Sequence, residues 1–202
     1  MMKRDEKVIK LAQTALFAAL CFVSFTFLQI KIPMPGGDAT SLHIGNAFCV
    51  LAALLLGGGY GGLAGAIGMT IADLLDPVYI TGAPKTFILK FCIGLIAGFV
   101  AHRIAKIGQS NDQKYIFKWS TIAAICGLGF NVFFDPLVGY LYKIYILGQP
   151  QEMASVLAKW STMTTFVNAI VSTILVALLY KVLRSTLEKA GLLVHPVSQN
   201  RK

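Results

Sequence analysis

The chain has 202 residues, 56% hydrophobic and only 13% charged, against the roughly 25% charged residues of a soluble domain. So little water-facing side chain excludes a soluble globular protein and fits helices whose outer faces are solvated by lipid. The net charge of +9 does not signal nucleic acid, because Lys and Arg cluster between apolar runs and at the ends, with no basic stripe interleaved with stacking aromatics.

In chain order, Lys3, Arg4 and Lys7 precede an apolar stretch from Val8 to about Ile30. It is too long for the core of a signal peptide and no small-x-small cleavage site follows, so it reads as a first spanning helix over Val8–Leu28. The run Lys31-Ile-Pro-Met-Pro-Gly-Gly-Asp38 breaks that helix, since two prolines and two glycines cannot continue it. Span two is expected over Leu42–Leu56, a tight turn at Gly57-Gly58-Gly59, and span three over Tyr60–Leu75, closed by Asp76-Pro77. Span four covers Lys85–Ile104, and the polar stretch from Lys106 to Lys114 separates the two halves. Span five runs over Phe117–Val138 and is continued by a tyrosine-rich segment, Tyr140 to Tyr145. Span six starts between Gln151 and Thr162 and ends near Leu183.

The fold class expected is thus an all-α integral membrane protein of six transmembrane helices. It forms one domain over residues 1–184, with a polar cytoplasmic tail over 185–202. Spans two and three are short for a crossing of about 20 residues, and a single re-entrant hairpin is the alternative for that pair. With the N-terminus inside, thirteen of the 18 basic residues fall on the cytoplasmic side, leaving Lys31, Lys85, Lys90, Lys143 and Lys159. The bias puts both termini in the cytoplasm.

Small residues recur at helix-packing intervals: Gly61, Gly65 and Gly68 in span three, Gly94 and Gly98 in span four. Span one carries Ala15 and Ala19 four apart, which serve either internal packing or a smooth docking face for another membrane subunit. Cys21, Cys49, Cys92 and Cys126 each lie within an apolar run without ligand spacing, so they read as small buried hydrophobes and no metal or cofactor is expected.

Polar groups inside spans are costly, about 2.5–3.5 kcal/mol for a central charge, so they face protein or water. Lys90 lies just over a turn into span four, Asn131 and Asp135 share a face of span five, and Ser161, Thr165 and Asn168 share a face of span six. All belong to the outer half under the proposed orientation. A cation, an anion and amides at one depth suit a small polar aromatic solute held between apolar walls. The structural alternative is a Lys90–Asp135 pair with amides tying helices together. His43 and Asn46 lie one turn apart where span two starts, and the Pro33–Asp38 loop lies at the same face as a candidate lid. Tyr79, Trp160 and Tyr142 are candidate stacking partners, though interfacial anchoring explains each as well. Asp73, at the outer end of span three, reads as a packing acid or a gate residue.

No G-x-x-x-x-G-K-[ST] phosphate loop, H-E-x-x-H or G-x-S-x-G occurs, so the chain has no ATPase motif of its own. No inverted repeat with matched broken helices is visible either. The alternatives to a solute-capture subunit are a self-sufficient facilitator and a membrane-embedded enzyme built on Asp73 or Asp135 with His43.

His43-Ile-Gly-Asn46, Leu51-Ala-Ala-Leu-Leu-Leu-Gly57, Gly61-Gly-Leu-Ala-Gly-Ala-Ile-Gly68, Ala72-Asp-Leu-Leu75, Ala83-Pro-Lys-Thr-Phe-Ile-Leu-Lys90 and Gly94-Leu-Ile-Ala-Gly98 together resemble a known family. It is the membrane-embedded S subunit of energy-coupling factor (ECF) vitamin transporters, in the riboflavin, hydroxymethylpyrimidine and pyridoxine-like branch, over roughly residues 8–184. The resemblance implies six helices with the N-terminus inside. It implies a substrate site near the outer face under the loop joining helices one and two, and docking through Ala15 and Ala19 onto a transmembrane coupling subunit that carries two ATPases. The expected location is a bacterial plasma membrane. Many members of that family carry an acid where this chain has Asn46, a departure that bears on the solute held. The site expected here comprises Lys90, Asn131, Asp135, Asn168, Thr165, Tyr79, Trp160, His43 and Asn46.

Overall fold

A computed structural model describes residues 2–193, with side chains from Glu6 onward. Six helices follow in chain order: α1 (Met2–Phe27), α2 (Gly45–Leu56), α3 (Gly58–Leu74), α4 (Ala83–Phe99), α5 (Gln113–Tyr145) and α6 (Gln151–Lys189). Between α1 and α2 lies a hairpin of β1 (Gln29–Pro33) and β2 (Ala39–His43).

The hairpin is what the proline- and glycine-rich break becomes. The strands pair antiparallel, Gln29 opposite His43 and Lys31 opposite Ser41. The connection closes with Met34 N–H on the Asp38 carbonyl at 2.9 Å, and Gly36 and Gly37 take φ of 80° and 77°, open to residues without Cβ. The sequence alone showed only that no helix could pass here. Leu42, expected as the start of span two, belongs to β2.

Gly57, at φ 98°, lets α2 stop and α3 start one residue later. α2 has twelve residues, about 18 Å of rise, and α3 has seventeen, about 26 Å, both short of the roughly 30 Å hydrocarbon layer. α2 need not match the bilayer. Every residue except Phe48 is buried, and α1, α3, α4 and α6 all pack against it. A helix apolar on all sides is stable only when enclosed in this way. Four segments are long and apolar enough to cross: Glu6–Phe27, Ile80–Ile104, Gln113–Tyr145 and Gln151–Lys189.

Asp112 caps α5 by accepting the Lys114 backbone N–H at 2.9 Å, and Pro84 occupies the first turn of α4, where its missing N–H costs nothing. α5 continues through Pro136 to Tyr145, so the tyrosine-rich segment belongs to the helix. α6 runs past Leu183 to Lys189. Residues 185–189 of the expected tail are therefore helical, because Leu187 packs on the core and Arg184 donates to the Ile107 carbonyl at 2.9 Å. Residues 194–202 lie outside the described residues.

Candidate functional site

At the hairpin end, the strands roof a cavity of about 150 Å³ between the ends of α3, α4, α5 and α6. A void of roughly that size accommodates a benzene ring. Its walls mix aromatic and charged groups.

One polar tier joins three helices. Lys85 Nζ donates to Asp135 Oδ1 at 3.0 Å, and Ser161 Oγ donates to Oδ2 at 2.7 Å. The expected alternative pairing of Lys90 with Asp135 is therefore corrected: the partner of Asp135 is Lys85. The signal for Lys85 was available. Pro84 marks the helix start, and a cation in a first turn opposes the helix dipole unless an anion answers it. Lys90 lies deeper, 7% exposed, with Nζ 3.5 Å from Asn131 Oδ1. Among the described residues no carboxylate comes within 4.0 Å of it. Asn131 is buried behind Lys90 and does not line the cavity.

A second set of contacts holds the roof. Asn168 Nδ2 donates to the Ser41 carbonyl at 2.9 Å and its Oδ1 accepts the His43 N–H at 3.0 Å, so the side chain of α6 pairs with β2 as a strand would. The Thr40 and Thr164 hydroxyls meet at 2.6 Å. Ion pairs join Lys31 to Asp76 and Lys143 to Asp38, tying β1 to the end of α3 and the hairpin turn to α5. Thr165 lines the cavity, but its hydroxyl is spent on the Ser161 carbonyl.

His43 and Tyr79 form the aromatic wall with Phe25. The His43 ring meets Phe25 edge-on at 4.6 Å, and Tyr79 lies tilted on the other flank at 5.7 Å. His43 Nδ1 accepts the Gly45 N–H at 3.2 Å, which leaves the proton on Nε2. Burial, and then the Lys90 ammonium, lower its pKa to about 3, so the ring is neutral. Burial raises the Tyr79 phenol to about 12. Trp160 is corrected: it is 48% exposed on the outward face of α6 and does not line the cavity. Asn46, 1% exposed, lines the cavity, and its Oδ1 has no hydrogen-bond partner among the described residues. Asp73, 3% exposed with the Thr86 side chain beside it, lines the cavity too.

The family model for the S component of the ECF-type riboflavin transporter matches residues 5–185. The chain belongs to that family. It is a multi-pass membrane subunit of a transporter, and the embedded-enzyme alternative falls away. The chain is 29% identical over 200 residues to the probable biotin transporter BioY of Lysinibacillus sphaericus, covering 91% of this chain and 93% of that one. It is 30% identical over 87 residues to an uncharacterized protein in a gap 3′ region of Pyrococcus woesei, covering 43% of this chain and 57% of the relative. The match thus spans little more than half of the Pyrococcus protein. The solved structure of ThiT from Listeria monocytogenes superposes with a TM-score of 0.63 at 20% identity, over 87% of this chain and 95% of that one. At that identity the likeness concerns the fold.

On this S component, Ala15 and Ala19 face outward on α1, flanked by exposed Leu11, Ala12 and Leu16. Internal packing falls instead to Ala18, whose carbonyl lies so close to α3 that a Cβ on Gly68 would come within 2.1 Å of it.

Proposed function

We propose that this S component captures a small vitamin or vitamin precursor, of the size of hydroxymethylpyrimidine or pyridoxine, for an ATP-driven ECF importer. The observation that carries the reading is the roofed cavity itself. Side chains from α2, α3, α4, α5 and α6 converge in a space of about 150 Å³ under a pinned hairpin. Pockets for drug-sized ligands run to about 300–1,000 Å³, so a single ring suits this one better than a three-ring flavin. Scarce solutes call for nanomolar affinity, about −12 kcal/mol. Lys90, Asp135 and Asn46 would bond the solute and Tyr79 and His43 would stack or edge against it. Asn131, Asn168 and Thr165 would set the geometry around them.

The outward Ala15–Ala19 face of α1 would dock on a transmembrane coupling subunit carrying two cytoplasmic ATPases, with both termini of this chain in the cytoplasm of a bacterial cell. Small residues suit this role because they let helix backbones approach closely.

The test is mass spectrometry of small molecules released from the detergent-purified chain, followed by binding measurements with the molecule found. Asn131→Ala should weaken binding by about 1 kcal/mol or more while the protein still folds, since Lys90 loses the Asn131 amide oxygen that holds it. An unchanged affinity removes Asn131 from the site. Solute uptake by liposomes holding this chain alone, without ATPases, would overturn the importer reading in favour of a facilitator.

A further inference from the structure

Among the described residues, Lys90 and Asp73 line the cavity without an ionic partner. Lys90 has three N–H donors and a single long contact to Asn131. Asp73 has the Thr86 side chain beside it and no cation within 4.0 Å among the described residues. The other charges lining the space are matched, Lys85 with Asp135 and Lys143 with Asp38. Asp73 also stands in the last turn of α3, where the helix dipole opposes a carboxylate. Burying an unmatched charge is strongly destabilising, so a group retained in this way points to a partner supplied from outside.

The two groups are placed to share one ligand. Thr86 and Lys90 lie one turn apart on α4, about 6 Å along the axis, and Asp73 sits at the Thr86 level. A six-membered ring with its substituents spans such a gap. Asn46, whose Oδ1 is unpartnered among the described residues, adds a further acceptor lining the same cavity.

We propose that Asp73 and Lys90 read opposite ends of one small ring, so the solute is a neutral or zwitterionic heterocycle carrying both a hydrogen-bond donor and an acceptor. An amino-substituted nitrogen heterocycle has this character, with the amino group donating to Asp73 and a ring nitrogen or hydroxyl oxygen accepting from Lys90. A simple anion of the same size satisfies Lys90 but meets the Asp73 carboxylate with like charge. This inference rests on the capture reading above and assigns to Asp73 the choice among solutes.

The experiment is equilibrium binding to the purified full chain with three probes. Amino-hydroxymethylpyrimidine carries donor and acceptor, pyridine carboxylate is an anion of similar size without a donor, and riboflavin is a three-ring solute. Amino-hydroxymethylpyrimidine should bind about 10- to 100-fold more tightly than pyridine carboxylate, and riboflavin should bind no better than the carboxylate. Asp73→Asn should bring the two single-ring probes to within about 3-fold of each other, whereas Lys90→Met should weaken both. The ratio of two probes in one preparation cancels any loss of folded protein. Should D73N fail to purify, the wild-type order of the three probes decides by itself. Equal binding of the anion, tighter binding of riboflavin, or an unchanged ratio in D73N overturns the inference and leaves capture standing. No binding by any probe, with no small molecule released from the purified protein, overturns the capture reading and this inference together. If a molecule is released while no probe binds, a formula lacking either a donor or an acceptor overturns the inference, and one holding both on a single ring supports it.

Discussion

The contact between α3 and α4 sets the distance between Asp73 and Lys90, and a single methyl group tests it. A Cβ added at Gly94 would lie 2.3 Å from the Gly62 nitrogen and 2.4 Å from its Cα. One added at Gly98 would lie 2.2 Å from the Gly58 Cα. These are backbone atoms, which cannot swing aside, so in Gly94→Ala the helices must part by about 1 Å to restore ordinary contact. Overpacking of this kind costs about 3 kcal/mol at the upper end of its usual range, and the better helix propensity of Ala returns about 1 kcal/mol. The net loss is about 2 kcal/mol, equivalent to a fall of roughly 4–8 °C in Tm for a chain of this length. Gly129 on α5 is the control, because nothing lies within 4 Å of a Cβ there and G129A should be neutral or stabilising. Fluorescence-detected thermal unfolding of the detergent-solubilised chain measures both. Lys90 stands one turn from Gly94, so ligand affinity should fall in G94A and not in G129A. A G94A protein as stable as wild type, or shifted like G129A, would refute the packing argument.

Three further outcomes are expected. Ala15→Leu with Ala19→Leu should leave solute binding within about 2-fold of wild type but abolish co-purification with the coupling subunit, since both residues face outward and neither lines the roofed cavity; a retained complex would exclude that face. His43 should make stability fall in acid. Its folded pKa of about 3 lies below the ordinary 6.5, so the unfolded chain binds the extra proton between those values. The contribution is complete above pH 6.5 and is lost as pH drops toward 3, by up to about 1.4 kcal/mol per pH unit. His43→Gln should flatten Tm against pH in that window, and parallel curves would contradict it. Finally, Lys143→Met should speed ligand release more than Lys31→Met, because the Lys143–Asp38 pair is less exposed than Lys31–Asp76. The difference is small, within about 5-fold for partly exposed pairs. A larger effect of K31M in stopped-flow dissociation would overturn the assignment of the stronger latch.

Much of the architecture was legible from apolar run length and breakers. The starts of α3 and α4 follow from Gly57 and Pro84, whereas α5 begins at Gln113, inside the polar stretch expected to separate the halves. The hairpin was not legible, because β1 and β2 are five residues each and gain their pairing from each other and from Asn168, a residue 125 positions after His43. Periodicity placed Ser161, Thr165 and Asn168 on one side of α6, yet it could not say that Asn168 would hold the roof or that Trp160 would turn outward. Lys85 in the first turn of α4 and Asp73 in the last turn of α3 both oppose their helix dipoles, a signal that each needs a partner but not which one.

From composition and pattern alone came the lipid environment and the number of helices. Those are properties of each segment, dictated by the cost of exposing backbone and charge to hydrocarbon. Which lysine meets which aspartate, and which stay unmatched, came only from the folded molecule. The rotation of each helix about its axis is set by how closely its neighbours approach, and here glycine-to-glycine contact between α3 and α4 sets that approach.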